Sequence, residues 1–94
     1  MSKRISFVVA GVVQGVGYRM FAQRRAGELG ITGFVRNVSS GDVQGEAQGP
    51  DDALKKFMGY LQRGPQGSRV DSLTTNARSN FKLPSLVFRW ERQR

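Results

Sequence analysis

Along this chain the spacing of apolar side chains alternates between the two-residue repeat of a strand and the 3.6-residue repeat of a helix. The order of those switches limits the folds open to it. Residues 4–13 carry Ile5, Phe7 and Val9 at one parity and Val8, Ala10 and Val12 at the other. That pattern predicts a central strand, covered at least partly on both faces. Gln14-Gly15-Val16-Gly17 breaks it. From residue 19 to 29, Ala22, Ala26 and Leu29 fall at i, i+4 and i+7, with Phe21 widening the stripe. This is helical spacing, and Gly30 is placed to end the helix in a left-handed conformation. Residues 31–38 read as a second strand and 43–48 as a third. The short turn Ser39-Ser40-Gly41-Asp42 between them makes the pair antiparallel. Gly49-Pro50-Asp51-Asp52 opens a second helix, with proline and acids where a helix start favours them. Leu54, Phe57, Met58 and Leu61 form its core face, and Lys55-Lys56 its solvated one. Arg63-Gly64-Pro65 stops it. Residues 66–68 read as loop, 69–78 as a polar fourth strand, 79–83 as loop and 84–91 as a last strand. In that last strand Leu86, Phe88 and Trp90 alternate with other side chains, and Trp90 reads as a packed strand aromatic.

Strand, helix, strand, strand, helix, strand is the split βαβ order of the ferredoxin-like fold. The expectation is an α+β domain spanning residues 1–94. Its two helices lie on one face of an antiparallel sheet, and a strand is added at the C-terminus. Order of elements says nothing of function, because this fold hosts many.

The residue inventory excludes more. The 94 residues include no cysteine and no histidine. There is then no disulfide framework, no Cys or His nucleophile, no Ser-His-Asp triad and no thiolate or imidazole zinc site. Catalysis must rest on Arg, Lys, Asn, hydroxyls, carboxylates or the backbone, and no cofactor or metal is expected. The formal net charge is +8, which attracts anions such as phosphorylated metabolites or nucleic acid. The basic start Met1-Ser2-Lys3-Arg4 is followed by an apolar run that leads into a glycine turn, without the small-residue cleavage site of a signal peptide. That run is too short to span a bilayer. A soluble, cytoplasmic monomer without a membrane partner is expected.

The most informative local feature is Gly15-Val16-Gly17-Tyr18-Arg19, between a strand and a helix. Glycines there let the backbone turn sharply and approach a ligand closely. Successive N–H groups can form an anion nest, and the helix adds its positive end. Arg19 can meet the same anion with its planar fork. The segment reads either as a phosphate cradle or as a tight turn beside a surface arginine. It is neither a nucleotide P-loop, since no Lys-Ser or Lys-Thr follows, nor a dinucleotide fingerprint. Asn37, near the end of Gly33-Phe34-Val35-Arg36-Asn37, reads either as a turn residue or as a neutral acceptor that could aim a water at phosphorus. Pattern alone does not bring it to the glycine turn. Arg36 should point to the opposite sheet face.

Taken together, Val13-Gln14-Gly15-Val16-Gly17-Tyr18-Arg19 and Gly33-Phe34-Val35-Arg36-Asn37 resemble the acylphosphatase family. The stretch Val43-Gln44-Gly45-Glu46-Ala47-Gln48-Gly49 and the Phe-rich ending are similar too, so the likeness runs the length of the chain. The paired motifs are highly specific. The resemblance implies a metal-independent hydrolase of small-molecule acyl phosphates with the ferredoxin-like fold. The family's catalytic arginine and asparagine match Arg19 and Asn37. Its phosphate-binding loop matches Gly15, Val16, Gly17, Tyr18 and Arg19. Tyr18 stands where the family often has Phe. The hairpin turn Ser40-Gly41-Asp42 replaces a more typical acid-Gly pair, and residues 66–83 are the least family-like.

That chemistry suits a chain without His or Cys. An acyl phosphate releases a carboxylate, which needs little protonation as it departs. The transition state is loose, so positioning and charge stabilisation carry most of the work. No acid lies in either motif, and no DxDx[TV] signature points to a covalent aspartyl phosphate. Two alternatives share the element order. One is an RNA-recognition module, against which stands a third strand with no aromatic residue. The other is a non-catalytic accessory domain, disfavoured by the two intact motif residues.

Overall fold

In the computed structural model, which describes residues 2–77 and 88–91, the switches between strand and helix fall close to where side-chain periodicity puts them. Strand β1 (Ser2–Val12) is followed by helix α1 (Tyr18–Leu29) and strands β2 (Thr32–Asn37) and β3 (Val43–Pro50). Helix α2 (Asp51–Arg63), strand β4 (Arg69–Ala77) and strand β5 (Phe88–Glu91) complete the order. Helix α1 starts one residue earlier than expected, and Gly30 closes it at φ 70° as the sequence suggests. Pro50 ends β3 in an extended conformation, and Asp51 and Asp52 occupy the first turn of α2. The last residue of the expected fourth strand (78), the expected loop at 79–83, the start of the last strand at 84–87 and residues 92–94 lie outside the described residues, as does the side chain of Trp90.

The five strands form one sheet in the order β4-β1-β3-β2-β5. Strand β1, the most apolar on both parities, is indeed interior. It pairs antiparallel with β3 from Ser2 opposite Pro50 to Val9 opposite Val43, and with β4 on its other side. The β2–β3 pair is an antiparallel hairpin, Asn37 opposite Val43. These four strands and two helices are the ferredoxin-like arrangement. The added strand β5 joins the edge beyond β2 and runs parallel to it, Gly33 opposite Phe88.

Both helices cover one face. That face carries Phe7, Val9, Val35, Val43 and Ala47 from the sheet, Tyr18, Ala22 and Ala26 from α1, and Ala53, Leu54, Phe57 and Leu61 from α2. Fully burying a side chain the size of Phe57 stabilises the fold by about 1.5–3 kcal/mol. Phe57 meets Phe7 edge to face at a centroid distance of 5.9 Å, a geometry that matches the ring quadrupoles. Phe7 crosses the sheet surface directly over Gly45, where an added Cβ would come 2.6 Å from the ring and 2.2 Å from the carbonyl oxygen of Phe34. Only glycine fits there. Met58, expected in the core, is half-buried and outside the buried cluster, and Ala53 is buried instead. Helix α2 is rotated so that its buried face runs through Ala53, Leu54, Phe57 and Leu61.

The other sheet face is half-buried and polar. Arg4 pairs there with Glu46, both side chains largely shielded. The Arg36 guanidinium lies 5.5 Å from the centre of the Phe34 ring, on the face opposite buried Val35, as strand alternation requires.

Candidate active site

The loop from β1 to α1 is shaped by two left-handed glycines. Gly15 and Gly17 both have φ of 77°, a region that residues with a Cβ rarely enter. Gly17 is also the N-cap of α1, which has no side-chain cap and no acid in its first turn. The first intrahelical bond runs from the Phe21 N–H to the Gly17 carbonyl at 3.0 Å. The earlier N–H groups of the turn have no intrahelical partner. They form the positive end of a helix, the ordinary place for an anion to bind.

The side chains of this loop are used to pin it. Tyr18 is buried in the core, and its hydroxyl donates to the Leu61 carbonyl of α2 at 2.5 Å. Burial pushes its pKa well above the usual tyrosine value, so it remains a neutral donor at any ordinary pH. Val16 packs against the core as well. Of the five loop residues singled out from sequence, Gly15, Gly17, Tyr18 and Arg19 line a cleft. Val16 is not among the lining residues, and the Tyr18 side chain is held in the core, which leaves that residue's backbone for the cleft.

Asn37 reaches the same cleft from the end of β2. Odd-numbered β2 residues face the helices, so Asn37 follows Val35 toward α1 while Arg36 turns away. The decisive contact comes from Gln14. Its Nε2 donates to the Val38 carbonyl at 2.8 Å and to the Asp42 carbonyl at 2.9 Å. Those carbonyls belong to the β2–β3 turn, which is closed by Val38 N–H to Asp42 O and Gly41 N–H to Val38 O, both 3.0 Å. One amide therefore ties the glycine loop to the hairpin that carries Asn37.

The resulting cleft has a volume of about 180 Å³ and is lined by Val13, Gly15, Gly17, Tyr18, Arg19, Met20 and Asn37. Among the described residues no carboxylate lines it. Partial burial lowers the pKa of Arg19 from its usual value, and an arginine side chain is a cation at neutral pH. The Oδ1 atom of Asn37 is shielded and accepts no hydrogen bond from any described group. A buried acceptor without a donor is costly, and such groups concentrate where a ligand or water is to be held. Among the described residues, no group of three or more His, Cys, Asp and Glu is placed to hold a metal ion. No helix among them is long and apolar enough to cross a membrane.

The geometry brings together the arginine and the asparagine that the sequence singled out. It adds two residues that sequence reasoning passed over. Gln14 carried a signal, since it stands inside the Val13–Arg19 motif. Met20 carried none, because it lies outside both motifs and off the apolar stripe of its helix.

Known proteins share the sequence and fold of this chain. The acylphosphatase family model matches residues 5–82. An acylphosphatase of Deinococcus radiodurans is 46% identical over 72 residues, 77% of this chain and 83% of that one. The crystal structure of an acylphosphatase from Bacillus subtilis superimposes with a TM-score of 0.90 at 31% identity, covering 97% of this chain and 99% of that one. The structure of an acylphosphatase from Coxiella burnetii gives 0.89, also at 31% identity, over 96% and 93% of the two chains.

Proposed function

This chain belongs to the acylphosphatase family, and from that premise we propose how it hydrolyses the carboxyl–phosphate bond of acyl phosphates to a carboxylate and inorganic phosphate. The phosphoryl group sits in the loop of residues 15–19. Backbone N–H groups and the start of α1 meet its oxygens, and the Arg19 guanidinium adds a charge-assisted fork. Asn37 Oδ1 accepts a hydrogen bond from the attacking water and holds it in line with the leaving oxygen. A phosphoryl oxygen takes the water's proton as the P–O bond to the acyl group breaks, and the electron pair leaves with the carboxylate. No general acid is required, because the leaving group is a weak base. The scheme needs no metal.

The observation that carries this reading is the shielded, unpartnered Oδ1 of Asn37 lining the same cleft as Arg19 and two left-handed glycines. The cleft suits a small molecule. We further read the chain as one domain acting as a cytoplasmic monomer, with no nucleic acid or membrane partner, in keeping with its lack of cysteine.

The test is hydrolysis of benzoyl phosphate in the presence of EDTA by wild type, Arg19→Ala and Asn37→Ala. Wild-type turnover is expected to survive EDTA. Each variant should lose about 10²–10³-fold or more in kcat, the ordinary cost of removing one donor or positioning group from a transition state. Near-normal turnover in either variant would remove that residue from the mechanism.

A further inference from the structure

The proposed phosphate site accounts for the polar lining of the cleft and leaves its apolar wall unexplained. Besides the glycines, Tyr18, Arg19 and Asn37, the lining residues are Val13 and Met20. Val13 is 1% exposed and is part of the core. Met20 is 55% exposed, and among the described residues it and Val12 are the exposed large hydrophobic side chains. A lone exposed hydrophobic residue is ordinary on a protein surface. Met20 differs in its position, on the first turn of α1 immediately after Arg19 and on the wall of the cleft. The substrate has two ends. Its phosphoryl end is held by the loop and Arg19, so its acyl end must extend toward whatever else lines the cleft. The solvent-facing apolar surface on that lining is Met20. A thioether chain is unbranched, flexible and polarizable, and it makes favourable contacts with aromatic rings.

We propose that Met20 forms the acyl-binding wall and sets a preference for acyl phosphates with bulky apolar or aromatic acyl groups over small ones. This rests on the assignment of the cleft as the acyl phosphate site. Met20 is a specificity residue, in contact with the substituent that does not react. The preference lies in binding: a benzoyl group covers the Met20 side chain and removes apolar surface from water on both partners. An acetyl group has only a methyl to place there.

The experiment measures kcat and KM for benzoyl phosphate and acetyl phosphate with wild type, Met20→Gln and Met20→Leu. Because the side chain is exposed, both variants should fold, and a far-ultraviolet circular dichroism melt checks this. The benzoyl-to-acetyl ratio of kcat/KM should fall about fivefold to tenfold in Met20→Gln, chiefly through a higher KM for benzoyl phosphate. Met20→Leu, which keeps an apolar wall, should hold the ratio within about twofold. An unchanged ratio in Met20→Gln, with both substrates turned over, overturns the proposal and leaves the cleft assignment standing. If folded wild type turns over neither substrate, the cleft assignment falls and this proposal falls with it.

Discussion

Gln14 offers a test of how the site is assembled, because it links two segments that local sequence does not connect. Replacing it with alanine removes two hydrogen bonds, at 2.8 and 2.9 Å. Each is worth about 0.5–1.5 kcal/mol net. Neither carbonyl is orphaned, since Val38 O still accepts from Gly41 N–H and Asp42 O from Val38 N–H. The further penalty for stranding a buried acceptor is therefore absent, and the stability loss should stay within about 1–3 kcal/mol. The larger effect is on geometry. Asn37 directly precedes Val38, so loosening this tether lets the amide drift relative to the glycine loop. A misplacement of about 1 Å can cost up to about 100-fold in rate. In benzoyl phosphate hydrolysis at 25 °C, Gln14→Ala should lose about 10–100-fold in kcat. The inhibition constant of inorganic phosphate should change much less, because the loop and Arg19 remain. Gln14→Glu should be worse than alanine, since its carboxylate would face two carbonyl oxygens with no donor. A kcat within twofold of wild type, alongside the expected loss of stability, would refute the idea that Gln14 positions Asn37. An equal loss in phosphate affinity would instead make it a residue that shapes the loop.

Two further predictions concern the fold. Gly45→Ala places a methyl 2.2 Å from the Phe34 carbonyl and 2.6 Å from the Phe7 ring; overpacking of this kind should cost at least ~2 kcal/mol, read as a lowered midpoint in urea. A melting temperature within a few degrees of wild type would show that both the Phe7 ring and the backbone at Phe34 can move aside. Tyr18 supplies a pH test. Its pKa is raised in the folded state by burial, so its contribution to stability is fully present below the unfolded tyrosine value near 10 and is lost as pH rises above it. Between pH 10 and 11.5 wild type should lose more stability than Tyr18→Phe, by up to ~1.4 kcal/mol per pH unit. Parallel curves for the two proteins would show that Tyr18 ionises freely in the folded state.

Much of this molecule is legible from the chain because it depends on short-range properties. The two-parity apolar pattern of residues 4–13 marks an interior strand, and β1 is interior. Gly30 ends α1 in the left-handed conformation that glycine adopts at little steric cost. The spacing in α2 identifies Leu54, Phe57 and Leu61 correctly and errs at Met58. The error is informative: a wide apolar stripe defines a range of helix rotations, and packing against the sheet selects one of them. Tyr18 is another case. Beside the loop glycines it reads as a site residue, yet its ring is drawn into the core and its hydroxyl reaches α2.

The absence of Cys and His, the two glycines before a helix and the order of periodicities are properties of the sequence by itself. They determined the class of fold, ruled out thiol and imidazole chemistry, and singled out the glycine turn before α1 as the candidate site loop. Tertiary structure alone decided that Asn37 joins Arg19 in one cleft. That depends on the parity of β2 in its pairing with β3 and on one glutamine amide spanning from the loop to the hairpin. It also decided that Met20, outwardly another helix methionine, faces solvent on the wall of that cleft. Periodicity reports which face of an element is buried. Which groups meet at its ends is set by the packing of separate elements, and no local spacing encodes that.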